Sequence, residues 1–315
     1  MGELWERAES LAGGGGCGLR EGGGVERVQV ISPAKINWFL DVGARRVDGY
    51  HEVKSVMQMI SLCDEIECVA RGDGEIVFEH EGEPCGCEAE RNLAVRAAKA
   101  LRECVGVAWG VEIRLRKRIP VGAGLGGGSS NAASVLKAVS RLWGVEVKAA
   151  MLQGLARGLG ADVAFFLGSA AAICTGIGEC TKALAPRKHW VVIWNPGRPL
   201  ATRRVYEQFD RRVRPHRELS DFVEAYENGA VERLAAAVWN NLGIAAEECM
   251  PELGEMQVRM RGAGAKAVWV SGSGPSVVGL CRDERHAQSL AKFLREGASR
   301  GERIEVCYTL TERPE

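Results

Sequence analysis

The sequence lacks the excess charge of a nucleic-acid-binding or membrane-surface protein. Its 315 residues carry 41 lysines and arginines against 41 aspartates and glutamates, so the formal net charge is zero. Proteins that bind nucleic acids or membrane surfaces usually carry a clustered positive excess, so this balance favours a small-molecule partner. No apolar run approaches the length of a membrane-spanning helix. A chain of this length is long enough for two domains.

The cysteines lack a metal-binding or disulfide pattern. There are 11, but no Cys-x-x-Cys occurs, and the close pair Cys85 and Cys87 has no histidine neighbours at zinc-ligand spacing. The sequence shows no secretory signal, so we predict reduced thiols, no metal site and a cytoplasmic location. A redox role for the cysteines is the alternative.

The first 24 residues differ in composition from the rest of the chain. Residues 11–24 are mostly glycine, with glycine runs at 13–16 and 22–24. Such a segment cannot bury enough apolar surface to order itself, so we predict a disordered extension without an assigned function. Its acidic residues argue against an organelle transit peptide.

A glycine-dense segment that runs directly into a helix is the most informative feature present. Pro120 to Asn131 reads Pro-Val-Gly-Ala-Gly-Leu-Gly-Gly-Gly-Ser-Ser-Asn, and apolar residues then recur at helical spacing. Glycine lets backbone N–H groups crowd around an anion, and a helix N-terminus adds unpaired N–H groups and a positive dipole end. We therefore predict a phosphate-binding loop, with Ser129, Ser130 and Asn131 capping a helix that ends at Gly144.

Three other interpretations of this loop are weaker. A Walker loop needs lysine directly after its last glycine, but Gly128 is followed by serine. Gly122, Gly124 and Gly127 do satisfy the dinucleotide pattern G-x-G-x-x-G, but residues 116–120 and their proline separate them from the preceding strand. A flexible linker does not usually run into an amphipathic helix. Dinucleotide binding stays open as a minor alternative.

The periodicity of the remaining chain indicates the α+β class, because strands come first and helices follow. We predict strands at 25–31, 35–42, 52–62, 65–70, 75–80 and 111–115, and helices at 92–104, 129–143 and 148–159. Further on we predict strands at 170–175 and 189–194, helices at 202–209, 220–227 and 230–240, two short strands around a glycine turn within 267–281, a helix at 284–295 and a strand at 303–310. The final β-turn-β-α-β order suits a small ferredoxin-like layer.

Polar side chains at two places have no evident structural purpose. Lys35 and Asn37 share one face of a strand whose other face is apolar. Asp162 begins the apolar run 161–167, where a carboxylate needs a partner to offset its desolvation. A solvated strand face and a cap of a strand or turn are the structural alternatives.

The glycine loop resembles that of a kinase superfamily. Pro-x-Gly-x-Gly-Leu-Gly-Gly-Gly-Ser-Ser-Asn-Ala-Ala is similar to the phosphate loop of the galactokinase, homoserine, mevalonate and phosphomevalonate kinases. With residues 33–40, the Asp-Gly-Tyr-His turn at 48–51, and residues 159–167 and 271–274, the chain resembles the 4-diphosphocytidyl-2-C-methyl-D-erythritol kinase family from about residue 28 onward. Ala123 and Ala164 depart from the family, which commonly has glycine and proline there.

The resemblance implies a fold and a division into domains. It implies a ribosomal-S5-like, ATP-binding N-terminal domain at 25–175 after the extension 1–24, and a ferredoxin-like, substrate-binding C-terminal domain at 176–315. The last strand could return to the N-terminal domain.

The resemblance also implies an activity. Members phosphorylate the tertiary 2-hydroxyl of a cytidine diphosphate-linked substrate at the expense of ATP, with Mg²⁺, in the methylerythritol phosphate route to isoprenoids. Asp162 matches the catalytic aspartate and Lys35 the lysine beside it. A carboxylate in that place can accept the proton of the hydroxyl, and an ammonium can keep it ionised and neutralise phosphoryl charge.

The remaining site residues are carried over by position. The substrate-binding residues that the resemblance implies are Asn37, Tyr50, His51, Thr202 and Tyr206, with both tyrosines around the cytosine and His51 at its edge. The ATP-binding residues that it implies are Lys117, Pro120, Gly122, Gly124, Leu125, Gly126, Gly127, Gly128, Ser129 and Ser130. A third glycine motif at Ser271, Gly272 and Gly274 would lie over the site.

Two other functions remain open at this stage. Another small-molecule kinase of the superfamily, acting on mevalonate, homoserine or a sugar, would not be expected to carry the Asp-Gly-Tyr-His turn. A non-catalytic nucleotide-binding regulator would have no need of a base such as Asp162.

Overall fold

The computed structural model describes residues 26–314, which form two β-sheets covered by helices. The predicted glycine-rich extension lies outside the described residues. The strands of the first sheet are β1 (Arg27–Arg45), β2 (His51–Arg71), β3 (Ile76–Gly82), β4 (Gly110–Lys117), β5 (Ala171–Thr175), β6 (Cys180–Ala183) and β8 (Trp239–Asn240). Those of the second sheet are β7 (Trp190–Asn195), β9 (Ala267–Val270), β10 (Val277–Cys281) and β11 (Arg303–Tyr308).

The first sheet is built around one long antiparallel pair, β1 and β2. Its order is β3-β4-β2-β1-β8, with β5 paired to β2 and β6 to β5. Helices α1 (Leu93–Val105), α2 (Gly127–Leu142), α3 (Ala149–Leu159) and α4 (Val163–Leu167) cover one face and share an apolar core with the sheet. Helix α1 illustrates how local residues set the ends of a helix. The Asn92 side chain caps its N-terminus, and Gly106 ends it in the left-handed conformation.

The second sheet is antiparallel, in the order β11-β7-β10-β9. The helices of this half are α5 (Thr202–Phe209), α6 (Leu219–Asn228), α7 (Val231–Ala237), α8 (Asn241–Cys249), α9 (Glu252–Gly262) and α10 (Glu284–Arg295). Strand β7 is buried on both faces: Val191 and Ile193 pack toward the first sheet, whereas Val192 and Trp194 pack toward α8, α9 and α10.

A shared core joins the two sheets. Trp38 of β1 stacks on Trp269 of β9 with ring centroids 5.2 Å apart, and the Trp269 indole Nε1 donates a hydrogen bond to the Asn37 carbonyl at 2.7 Å. Aromatic pairs of this kind contribute about 0.5–1.5 kcal/mol beyond their burial. The strand that carries Lys35 and Asn37 is therefore fixed from both sides.

The α+β class and the ferredoxin-like second layer are confirmed. The predicted break at Ser32-Pro33 is wrong, since β1 continues through it with a register shift between Pro33 and Ala34. The predicted strands at 52–62 and 65–70 likewise merge into β2.

The domain limits stay a prediction. The predicted limit at residue 175 falls between two paired strands, β5 and β6. Strand β11 belongs to the second sheet, but Thr309 after it bridges to Ile60 of β2.

Three helices differ from the sequence prediction. The apolar run that was expected to start a strand after Asp162 is helix α4, with Asp162 at its N-cap position. Helix α2 begins at Gly127, two residues early, and no side chain caps it, so the capping roles predicted for Ser129, Ser130 and Asn131 are wrong. The predicted helix 230–240 ends at Ala237, and β6, β8, α8 and α9 had not been predicted.

We expect Glu248 of α8 to stabilise the fold in a pH-dependent way. Its carboxylate accepts hydrogen bonds from Arg214 Nη2 at 2.7 Å and Gln208 Nε2 at 2.9 Å, and these, with the charge of Arg212, lower the pKa of Glu248 to about 2. A pKa below the unfolded value stabilises the fold above about pH 4.5, and this contribution disappears as the pH falls toward 2.

Glu248→Gln should therefore lower the free energy of unfolding at neutral pH by about 1–3 kcal/mol, because the buried Arg214 loses its counter-charge. The variant should also lose less stability than the wild type between about pH 4.5 and 2. Urea unfolding across this range measures both effects, with Glu79→Gln on the exposed surface of β3 as the control. Parallel pH profiles for wild type and Glu248→Gln would contradict the assignment.

Candidate active site

Three polar side chains meet where β1 approaches the N-terminus of α4. Lys35 Nζ donates a hydrogen bond to Asn37 Oδ1 at 2.6 Å and lies 3.4 Å from Asp162 Oδ2. The Lys35 side chain is 5% exposed and that of Asp162 28% exposed. The ammonium is thus buried between two oxygens, whereas the carboxylate still reaches solvent. The structure brings Lys35, Asn37 and Asp162 together, as the family resemblance implied.

The orientation of Asn37 follows from its other partner. Ser55 Oγ donates its only proton to the Phe39 carbonyl at 2.7 Å, so it accepts from Asn37 Nδ2 at 2.9 Å. The amide nitrogen therefore faces Ser55, and the amide oxygen faces Lys35. Ser55 was not predicted, and no sequence signal marks it, since it depends on the pairing of β1 with β2.

The Asp162 carboxylate influences two neighbouring groups. Burial, reinforced by the negative charge of Asp162, raises the pKa of Tyr206 to about 12. The same two causes raise the pKa of the Cys174 thiol to about 12, although Lys35 opposes the shift. Tyr206 and Cys174 therefore stay neutral near the carboxylate.

The glycine loop takes a conformation that needs glycine at alternate positions. Gly122, Gly124 and Gly126 have φ values of 63°, 73° and 69°, in the left-handed region. No other residue type in 26–314 has a positive φ, so Ala123, which replaces a common family glycine, is tolerated. A Cβ on Gly126 would lie 3.0 Å from both the Lys35 side chain and the Phe166 ring. The loop therefore packs directly on the Lys35 site.

The amides at the start of α2 suit a phosphate. The first N–H groups of a helix have no partner within the helix, and no side chain caps α2. Gly127 is buried, whereas Gly128 is exposed and Ser129 is partly exposed. The unpaired amides and the positive end of the helix dipole face the loop, as an anion site requires. Pro120 is partly buried and Leu125 fully buried, and Leu125 accepts from the Lys35 amide at 2.9 Å.

A buried ionic cluster supports the loop from behind. Lys117, predicted to lie near the nucleotide, is buried and bonded to the fully buried Asp64. Asp64 also accepts from the backbone amides of Arg118 and Ile119 and from Asn131 Nδ2 of α2. A Cβ on Gly127 would be 2.9 Å from Lys117 Nζ, so the ammonium contacts the base of the loop.

Ser130 is linked to this cluster through Ser32, whose hydroxyl accepts from Asn131 Nδ2 at 2.9 Å. The Ser130 hydroxyl accepts from Ser32 Oγ at 2.8 Å and is fully buried. Asp64 was missed by the sequence analysis. The sequence carried one signal for such a partner. Lys117 continues the alternation of the buried Ile113 and Leu115 in β4, so its burial could have been expected, and a buried ammonium requires a carboxylate.

The third glycine motif packs on the loop. Ser271 Oγ donates to the Gly124 carbonyl at 3.1 Å, and a Cβ on Gly124 would clash with the Ser271 carbonyl. A Cβ on Gly272 would lie 3.6 Å from Lys35 Nζ. Gly274 has a φ of 79° and lies beside Gly124. The motif thus borders both the loop and the Lys35 site, as predicted from its position.

The residues expected around the cytosine lie on the β1–β2 turn and on α5. Tyr50 is 60% exposed, and its ring has no aromatic partner among residues 26–314. His51 is buried with its ring centroid 5.0 Å from that of Tyr206, and its Nε2 is 2.7 Å from Asp210 Oδ1. Thr202 Oγ1 is 2.9 Å from Ser273 Oγ. Asp210 was not predicted, although it follows Tyr206 by one helical turn.

Comparisons with known proteins agree with this architecture. Residues 92–170 match the GHMP kinases N terminal domain, and residues 222–299 match the GHMP kinases C terminal family. Proteins named 4-diphosphocytidyl-2-C-methyl-D-erythritol kinase from Geobacillus kaustophilus and Geobacter sulfurreducens are each 38% identical to the chain. These alignments cover 85% and 86% of this chain and 93% and 96% of the two relatives. The chain belongs to this kinase family.

Solved structures place the kinase in the same superfamily. A crystal structure of 4-(cytidine 5'-diphospho)-2C-methyl-D-erythritol kinase is 38% identical, with a TM-score of 0.73 over 89% of this chain and 99% of that one. A homoserine kinase from Cytophaga hutchinsonii, 18% identical with a TM-score of 0.70 over 92% of this chain and 97% of its own, shares the fold alone. The predicted family and kinase activity are confirmed.

Two further observations concern the described part of this kinase. Between residues 26 and 314, no helix combines the length and apolarity needed to cross a membrane. Within the same residues, no three His, Cys, Asp or Glu side chains gather in a way that could hold a metal ion.

Proposed function

We propose that the protein transfers the γ-phosphoryl group of ATP to the 2-hydroxyl of 4-diphosphocytidyl-2-C-methyl-D-erythritol, in the non-mevalonate route to isoprenoids. The observation that carries the proposal is the position of Asp162, which lies 3.4 Å from a buried Lys35 that itself packs on the glycine loop. The names of the relatives at 38% identity supply the substrate.

In the proposed reaction Asp162 is the general base. The hydroxyl oxygen forms a bond to the γ-phosphorus while the bond from that phosphorus to the β–γ bridging oxygen breaks, and ADP leaves with the bond electrons. Asp162 accepts the hydroxyl proton. Lys35, oriented by Asn37, pairs with the carboxylate and would offset negative charge on the transferring group.

The proposed ATP site combines the loop with the start of α2. The free first-turn amides and the alternate left-handed glycines would hold the phosphates, and Lys117 would support the loop through Asp64. Mg²⁺ on a nucleotide keeps several waters and binds phosphate oxygens, so here it would be held largely by ATP and water and would neutralise phosphate charge, which leaves Asp162 for its role as the base. Ser129 and Ser130 stay predicted donors, and the Ser130 hydroxyl, which accepts from Ser32, is fully buried.

The proposed cytidine site lies between the β1–β2 turn and α5. Tyr50 would stack on one face of the base and Tyr206 on the other, with His51 at the polar edge. Thr202, at the start of α5, would contact the substrate from beside Ser273.

A panel of acceptors tests the proposed function. The purified protein is given ATP, Mg²⁺ and, in turn, the cytidine diphosphate substrate, mevalonate and homoserine, and ADP release is followed. We expect turnover with the cytidylated acceptor. Turnover only with another acceptor would assign a different kinase reaction, and ATP binding without turnover would favour a regulator.

Tyr50→Ala should raise the KM for the cytidylated acceptor by about tenfold or more, because a base-stacking contact is worth about 1–3 kcal/mol. The KM for ATP should stay unchanged, since Tyr50 belongs to the proposed cytidine site and not to the glycine loop. Tyr50→Phe retains the ring and should behave like the wild type. Steady-state kinetics with each substrate varied in turn provides the measurement, and an unchanged acceptor KM in Tyr50→Ala would remove the ring from the site.

A further inference from the structure

The strongest unassigned feature at the site is the contact between His51 and Asp210. The His51 side chain is 6% exposed, yet its Nε2 lies 2.7 Å from Asp210 Oδ1, whose side chain is 35% exposed. Asp210 directly follows α5, and its amide donates to the Tyr206 carbonyl at 3.0 Å. One turn of backbone thus presents both an aromatic ring and a carboxylate to the same histidine.

This contact decides which imidazole nitrogen carries the proton. An ionised carboxylate can only accept hydrogen bonds, so Nε2 must be the donor. In a neutral imidazole the other nitrogen, Nδ1, is then an acceptor. Nδ1 of His51 has no hydrogen-bond partner in residues 26–314, and it is not among the fully enclosed side-chain atoms that lack one. It therefore keeps contact with solvent and can accept a hydrogen bond from a ligand.

We propose that Asp210 is a positioning residue that sets the specificity of this kinase for a cytosine base. By holding the proton of His51 on Nε2, it leaves Nδ1 to accept a hydrogen bond from the exocyclic amino group of cytosine. Uracil has a carbonyl oxygen in place of that amino group, and two facing acceptors repel. The inference rests on the proposed function, because it presumes that the cytosine lies between Tyr50 and Tyr206.

A purely structural role for Asp210 makes a different prediction. The His51–Asp210 contact also ties the β1–β2 turn to α5, so its loss could loosen the whole cleft. Loosening would weaken cytidine and uridine acceptors alike. A tautomer effect would instead change the ratio between them.

The test compares kcat/KM for the cytidine diphosphate acceptor with that for its uridine analogue, in the wild type and in Asp210→Asn. The asparagine can donate from Nδ2, so it no longer imposes one tautomer. We expect the cytidine-to-uridine ratio to fall by at least about tenfold, through KM for the cytidine acceptor and with kcat nearly unchanged. Glu207→Gln, which removes an exposed carboxylate from the same helix, should leave the ratio unchanged.

Equal losses for both acceptors in Asp210→Asn would overturn the proposal and leave Asp210 a structural tie. A second measurement needs neither substrate nor variant: the ¹⁵N resonances of His51 in the wild type at mildly alkaline pH. We expect a protonated Nε2 and an unprotonated Nδ1, and the reverse would also overturn the proposal. Failure of the proposed function would show differently, as absence of turnover with the cytidine acceptor in the wild type.

Discussion

Asp162→Asn should lower kcat by about 10²- to 10⁴-fold, the usual contribution of a positioned general base. Asparagine has nearly the same shape as aspartate but cannot accept the hydroxyl proton. The KM values for ATP and acceptor should change little, because Lys35 keeps its hydrogen bond to Asn37 and the glycine loop is untouched. Steady-state measurement of ADP release gives both parameters.

The control for this prediction is Asp221→Asn, which changes an exposed carboxylate in the first turn of α6. It should retain wild-type turnover, and thermal unfolding should show that both variants fold. Turnover of Asp162→Asn within a few-fold of the wild type would show that another group, or water, accepts the proton. Lys35 would then be the more important member of the pair.

Gly124→Ala should lower kcat/KM for ATP by about 10²-fold, the cost of displacing a catalytic element by roughly 1 Å. Gly124 has a φ of 73°, which a side chain strongly disfavours, and a Cβ there would clash with the Ser271 carbonyl. The loop and the third glycine motif must separate to admit the methyl group. Since both border Lys35, the phosphate and catalytic sites are disturbed together.

Gly154→Ala is the matched control for this substitution. Gly154 lies within α3, and a Cβ there has no atom within 4 Å. The same chemical change should therefore leave kcat/KM unaltered and stabilise the helix by about 0.5–1 kcal/mol. Wild-type kinetics for Gly124→Ala would mean that the contact with Ser271 does not hold the loop in its active position.

Segments whose pattern lies in consecutive residues could be identified from the sequence. The glycine loop, the strand face with Lys35 and Asn37, and the glycine turn at 271–274 each carry a local pattern. The run after Asp162 was less clear, because a short apolar segment cannot be assigned to strand or helix by periodicity. The structure shows helix α4, and Asp162 at its N-cap position lies 3.4 Å from Lys35 Nζ.

Sequence patterns could not identify residues whose partners lie far away in the chain. Asp64 holds Lys117 and Asn131 from 53 and 67 positions away, and Asp210 contacts His51 across 159 positions. A surface aspartate and a buried one look alike in a sequence. Only the pairing of β2 with β4, and the placement of α5 against the β1–β2 turn, distinguishes them.

The stacked Trp38 and Trp269, with the indole hydrogen bond to the Asn37 carbonyl, have a mechanical consequence. They join the strand bearing Lys35 to the second sheet, so a rigid-body opening between the two halves would have to separate the stacked rings and break that hydrogen bond. We therefore expect substrate access to depend on small movements at the rim, where the turn with the fully exposed Val47 leads to Tyr50. The geometry around Asp162 would then be assembled before either substrate arrives.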